Sequence, residues 1–178
     1  MRTYTGGQFW PFDPDPEDVR IEDIAHALSL QCRFAGHVPE FYSVAQHCLL
    51  VEQLTVPPSR ETCLAALLHD AAEAYVLDMP RPLKRDLPDY RRVERAVTAA
   101  VALRFGLPLD FDRSEKIKST DNIVLVYEAK SLLDVDVVRD WKWESRWASA
   151  VHTAPHISLL GSKPAELRYL DVFGGLAK

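Results

Sequence analysis

The chain predicts an all-α protein: a compact bundle of helices with an extended N-terminal arm. Three observations carry that prediction. Apolar residues recur at helical spacing in successive stretches, as Ile24, Leu28 and Cys32 do at i, i+4 and i+8. Helix-boundary residues stand at the ends of those stretches, Ser43 before one and Gly106 after another. No segment alternates apolar and polar residues convincingly enough to be a strand. At 178 residues, 47 % of them hydrophobic, the chain has the length of one domain, 1–178. A chain of that size buries enough surface to fold without a disulfide or a structural metal.

The first 18 residues, rich in Pro, Gly and aromatics, read as an extended arm packed by Phe9, Trp10 and Phe12. A first helix occupies "IEDIAHALSLQCRF", and "AGHVPEFY" is a loop. "SVAQHCLLVEQL" follows, with Ser43 as N-cap and Gln46 completing a capping-box pattern. A third helix spans about 61–75, "MPRPLKRDLP" is a basic loop, and "DYRRVERAVTAAVALRFG" is a fourth helix closed by Gly106. "LPLDFDR" is a loop and "SEKIKSTDNIVLVYEAKSLL" a fifth helix. The C-terminal part predicts a loop and one last helix, "SKPAELRYLDVFGGL", with Ser162 as a candidate cap.

Charge and composition exclude several function classes. A net charge of −5 argues against a binder of polymeric nucleic acid. No apolar run approaches the ~20 residues that cross a bilayer, and the N-terminus lacks a signal-peptide core. Three cysteines at spacings that fit no zinc or redox motif read as free thiols. A cytoplasmic location is expected.

Polar residues inside the apolar helical stretches carry the chemistry. "ALLHDAAEAYVLD" sets His69, Asp70 and Glu73 in a core-like segment, with Asp78 after it. On a helix, Glu73 shares a face with both His69 and Asp70. Buried carboxylates need a counter-charge, which a divalent cation or a neighbouring Arg or Lys supplies. His47 in "VAQHCLLV" and Asp121 in "TDNIVLV" are further lone polar groups on packed helices. Side by side, these helices offer His47, His69, Asp70 and Asp121, a set suited to Zn2+, Co2+, Mn2+ or Fe2+. Plainer readings exist for each. His47 alone is a core histidine, Asp121 alone a residue favoured by a helix dipole, Glu73 a surface carboxylate and Asp78 a helix stop. "KRDLPDYRRVER" is a solvated face. Pro155 breaks the helix that His152 and His156 need for a metal pair. His26 is structural, His37 lies beside the site, and Trp141, Trp143 and Trp147 pack the C-terminal part.

The order H…HD…D on successive helices, within "SVAQH…LLHDAAEAYVLDMPRPLK…KSTD", resembles the HD-domain metal-dependent phosphohydrolases. The likeness is to their small single-domain members, the 5′-deoxynucleotidases and phage-type dATP triphosphohydrolases. It covers about 21–133, and it implies an HD-domain helical bundle. It implies His47, His69, Asp70 and Asp121 as ligands of a divalent cation, Zn, Co, Mn or Mg, with Asp70 and Glu73 catalytic. Glu73 would orient or deprotonate water, and Asp78 would lie near the substrate. Arg33 and Phe34 in "CRFAGH" resemble an Arg-Trp pair that meets the nucleotide, with Phe34 in place of Trp. Lys84 and Lys118 stand where cations meet phosphate, and Pro82 at the nucleoside end. A deoxynucleotide substrate and a homo-oligomer, dimer or higher, are implied. The alternative is a non-catalytic module on the same fold that senses a nucleotide or metal. A diiron oxygenase needs further histidines that the chain lacks at the right spacing.

Overall fold

The computed structural model describes residues 1–136, 139–141 and 156–177. Its helices, in chain order, are α1 (Ile21–Leu30), α2 (Val44–Leu54), α3 (Arg60–Leu68), α4 (Glu73–Val76), α5 (Arg81–Arg85), α6 (Pro88–Phe105), α7 (Glu115–Leu133) and α8 (Ser162–Leu176). The described residues contain no strand, only two isolated bridges. The all-α class therefore holds. No helix among them is long and apolar enough to cross a membrane.

Helix α2 lies at the centre and packs against α1, α3, α7 and α8. Every residue from Val44 to Val51 is buried, and so is every residue from Cys63 to Leu68 on α3. A helix apolar on all sides belongs in the middle of a bundle, so His47 and His69 sit where water is scarce. Ser43 caps α2 by accepting from the Gln46 N–H at 3.2 Å. The expected capping box is not completed: the Gln46 amide instead donates to the Ser158 carbonyl and accepts from the Leu160 N–H. The reciprocal box belongs to α3, between Ser59 and Thr62.

Three expected elements change. The helix over 61–75 breaks after Leu68 and resumes as α4. The His69 imidazole explains the break: its Nδ1 donates to the Ala66 carbonyl at 2.8 Å, an oxygen that a continuing helix reserves for the N–H of Asp70. The backbone then tightens into turns such as Ala71 N–H to Leu68 O and Glu73 N–H to Asp70 O, each 2.9 Å. The "MPRPLKRDLP" loop contains α5, begun by Pro82 in its first turn, where a missing N–H does no harm. "LPLDFDR" holds a single 3-10 turn, Phe111–Arg113. Gly106 ends α6 in the left-handed conformation, as expected. Ser162 is the first residue of α8 and makes no capping bond.

The arm is folded back rather than extended. Thr3 and Phe9 donate to the carbonyls of Gly7 and Met1 around a turn at Gly6, whose φ of +89° favours glycine. Thr5 ties the turn to α1 through two bonds to the buried Asp23 carboxylate. Of the three aromatics expected to pack, only Phe9 does: it is fully buried and stacks on Tyr75 at 3.9 Å, while Trp10 and Phe12 are exposed.

Between α1 and α2 the chain makes an excursion closed at its neck. Arg33 N–H donates to Tyr42 O and Val44 N–H to Gln31 O, at 2.8 and 3.0 Å. Within the excursion Phe34, Ala35 and Gly36 have φ of 55°, 52° and 80°. Two successive non-glycine residues there carry strain of roughly 1–2 kcal/mol each.

Candidate metal centre

Four polar side chains meet between α2, α7 and the break after α3. His47 Nε2 lies 3.3 Å from His69 Nε2, 3.6 Å from Asp70 Oδ2 and 3.2 Å from Asp121 Oδ1. His69 Nε2 lies 3.2 Å from Asp70 Oδ2 and 4.0 Å from Asp121 Oδ1. One ion with ligand bonds of about 2.1 Å sets neighbouring ligand atoms about 3.0–3.4 Å apart. The observed separations fit that requirement with small adjustments. His47, His69 and Asp70 form a group that could hold a metal ion, and Asp121 closes on it from α7. Asp121 lies in the second turn of α7, beyond the reach of the helix dipole. Its place is explained by the histidines it faces.

The Nδ1 hydrogens of both imidazoles point away from the cluster. His69 Nδ1 bonds a carbonyl, which only accepts, so Nδ1 carries the hydrogen and Nε2 is left to face the other three groups. His47 Nδ1 lies 2.7 Å from Glu128 Oε1. Glu128 is fully buried, and its Oε1 also accepts from Tyr42 OH at 2.8 Å, while Oε2 accepts from Arg33 Nη2 at 3.1 Å. Burial opposes the charge on Glu128, but His47, Arg33 and Tyr42 hold its pKa below the ordinary carboxylate value. Glu128 escaped the sequence reading. A signal was present: it lies seven residues after Asp121 on one apolar helix, hence on the same face.

Electrostatics follow the same geometry. Burial works against the His69 charge, yet Asp70 outweighs it and raises its pKa well above the usual histidine value. Burial likewise opposes ionisation of Asp70, but His69, His47 and Arg33 keep it well below the carboxylate range. Burial opposes Asp121 too, and His47 and Arg81 bring it down to about 2. Cys48 stands beside this cluster as a neutral thiol, its pKa pushed up to about 11 chiefly by burial.

The cluster forms part of the wall of a cleft of about 1150 Å³. Every residue predicted for the site except His47 lines that cleft: Arg33, Phe34, His69, Asp70, Glu73, Asp78, Pro82, Lys84, Lys118 and Asp121. His47 lies behind them, fully buried. Glu73 is buried, and its Oε2 has no hydrogen-bond partner among the described residues. Burial, then the charges of Asp70 and Asp78, raise its pKa well above the usual value. Arg33 is buried, with Nη1 3.9 Å from both Asp70 and Asp78 and with an Nε that lacks a partner among the described residues. Asp78 does not stop α4, which ends at Val76; its N–H donates to Gln31 Oε1. Lys84 is paired with Glu94 of α6, whereas Lys118 is exposed. Arg81 donates to Asp121 Oδ2 at 2.6 Å and to Asn122, a clamp on a candidate ligand that the sequence reading missed. His37 and Trp141 also line the cleft. His26 is structural in its contacts, stacked on Tyr4 and facing Glu166. His156 lines a separate groove, and Trp143, Trp147 and His152 fall outside the described residues.

Fold and site together define an all-α protein with a possible His/Asp divalent-cation centre in the wall of a deep cleft. The chain belongs to the family of the uncharacterized protein YfdR of Escherichia coli K12. The two are 46 % identical over 132 residues, which cover 74 % of this chain and 71 % of YfdR. An uncharacterized protein of Rhodobacter capsulatus is 39 % identical over 141 residues, with 74 % and 72 % covered. No family model matches the chain.

Proposed function

We propose that this protein is a divalent-metal-dependent phosphohydrolase of the HD-domain type, acting on deoxynucleotides as a 5′-deoxynucleotidase or a dNTP triphosphohydrolase. The observation that carries the reading is the convergence of His47, His69, Asp70 and Asp121 at 3.2–4.0 Å beside a carboxylate, Glu73, with an oxygen left uncommitted. A cation there, Zn2+, Co2+, Mn2+ or Mg2+, supplies Lewis acidity toward a phosphoryl oxygen and lowers the pKa of water. The protein's residues do the rest. Glu73 accepts the proton of the attacking water through Oε2, burial and the charges of Asp70 and Asp78 making it a stronger base than an exposed carboxylate. Arg33, held rigidly by Glu128, offers a planar cation to phosphate, and Lys84 and Lys118 add point charges at the rim. The apolar part of the cleft, with Phe34 and Pro82, takes the nucleoside. The protein works as a homo-oligomer in the cytoplasm.

A screen of dNMPs and dNTPs against Mg2+, Mn2+, Co2+ and Zn2+ tests this. Inorganic phosphate from a dNMP assigns the nucleotidase, and tripolyphosphate from a dNTP assigns the triphosphohydrolase. Tight nucleotide or metal binding without turnover would overturn both in favour of a sensor.

A further inference from the structure

Glu128 is the most deeply buried acid near the cleft, and no ligand set requires it. Both of its oxygens are nevertheless engaged. Oε1 receives Tyr42 OH at 2.8 Å and faces His47 Nδ1 at 2.7 Å, and Oε2 receives Arg33 Nη2 at 3.1 Å. Arg33 and Tyr42 lie on the two sides of the neck of the excursion and His47 on α2, while Glu128 is on α7. A carboxylate that already accepts from the Arg33 guanidinium and the Tyr42 hydroxyl is an acceptor only, so the hydrogen between it and His47 sits on Nδ1. The ring then has one orientation, with Nε2 turned to His69, Asp70 and Asp121.

We propose that Glu128 is a positioning residue of the metal centre: through His47 Nδ1 it fixes the ring and its tautomer so that Nε2 is presented to a divalent cation. This rests on the metal-centre part of the proposed function. The competing account makes Glu128 only the counter-ion of buried Arg33, with no part in holding metal.

Three variants of the full chain separate these accounts, with Co2+ alone as probe and its visible absorption as readout. Glu128→Gln should weaken Co2+ binding about 10- to 100-fold, the usual effect of removing a carboxylate behind a histidine ligand. Arg33→Met leaves Glu128 on His47 and should keep Co2+ affinity within about threefold of wild type. The double variant Arg33→Met/Glu128→Gln decides the matter, because it removes both buried charges and avoids the unpaired guanidinium that Glu128→Gln alone leaves. Expected is an affinity still about 10- to 100-fold below that of Arg33→Met. Recovery to the Arg33→Met value would overturn the proposal, as would an unchanged Co2+ affinity and spectrum in Glu128→Gln. A wild-type chain that binds Co2+ but hydrolyses no nucleotide sinks the phosphohydrolase reading and leaves the role of Glu128 to be decided by these variants.

Discussion

His47 and His69 face each other through their Nε2 atoms at 3.3 Å, with each Nδ1 bonded outward to a group that only accepts, the Glu128 carboxylate and the Ala66 carbonyl. Two nitrogens so placed share room for one proton or one cation between them. Proton and metal are therefore direct competitors.

The competition fixes a pH dependence. The folded-state pKa of His69 is raised because Asp70 outweighs the cost of burial. Its contribution to stability is therefore complete below about pH 6.5, the unfolded value, and is lost as pH rises through the folded value. Asp70, Asp121 and Glu128 are shifted down. Their contributions are complete above about pH 4.5 and lost as pH falls through their folded values. Chelator-treated protein should be most stable between about pH 4.5 and 6.5, and excess Co2+ should move that optimum to higher pH. Thermal melts across pH with and without Co2+ check this. An optimum that metal leaves in place would contradict it.

Glu73 should be a site where stability and chemistry oppose each other. Its raised pKa means the folded chain binds the proton more tightly than the unfolded chain, so Glu73 costs the fold stability as pH rises above the ordinary glutamate value. Glu73→Gln removes that cost and should raise the melting temperature, each kcal/mol being worth about 2–4 °C at this size. It should also lower turnover at least about 100-fold. Calorimetry and a nucleotide assay on the same preparation read both effects, and wild-type turnover would remove Glu73 from the mechanism.

Arg33 has a structural cost attached to it. Replacing it with Met strands Glu128, a fully buried carboxylate, without its cation. Breaking such a pair from one side costs about 3–5 kcal/mol, or roughly 6–20 °C of melting temperature. Lys118→Met, at an exposed position, should change stability by less than about 0.5 kcal/mol. Equal melting temperatures for the two variants would show that the Arg33–Glu128 contact does not form.

The arm gives a contrast between neighbours. Phe9→Ala empties a fully buried place against Tyr75 and should cost about 3–5 kcal/mol. Trp10→Ala, at a residue that is 63 % exposed, should fall within about 0.5 kcal/mol of wild type. Denaturant titrations of both variants suffice, and similar midpoints would refute the packing of Phe9.

Much of the site was legible because His47, His69 and Asp121 are single polar residues in stretches that otherwise bury. Such residues need partners, and the economical solution brings them together. Ser43 and Gly106 were legible for local reasons, a side chain that caps and a backbone that turns left-handed. Glu128 was hidden although its situation matches that of Asp121, because "EAK" near a helix end also suits a solvated face. The break after Leu68 was hidden because it is made by a side chain rather than by Gly or Pro: His69 competes for its own helix's carbonyl. The folding back of the arm depends on Thr5 meeting Asp23, a pairing across 18 residues that no local pattern announces. Trp10 and Phe12 were misjudged because hydrophobicity alone does not say which of three nearby aromatics finds a cavity.

The closed neck between α1 and α2 separates two inheritances. Hydrogen bonds at Gln31, Arg33, Tyr42 and Val44 fix where the excursion leaves and re-enters the bundle, whatever its tip contains. Residues 34–41 can then be exchanged as a cassette, altering what the cleft admits while the helices keep their places. The strained pair Phe34 and Ala35 lies inside that cassette, whereas Arg33 stands at its neck and is tied to the core through Glu128, so the cleft wall changes at the tip while the fold is held at the base.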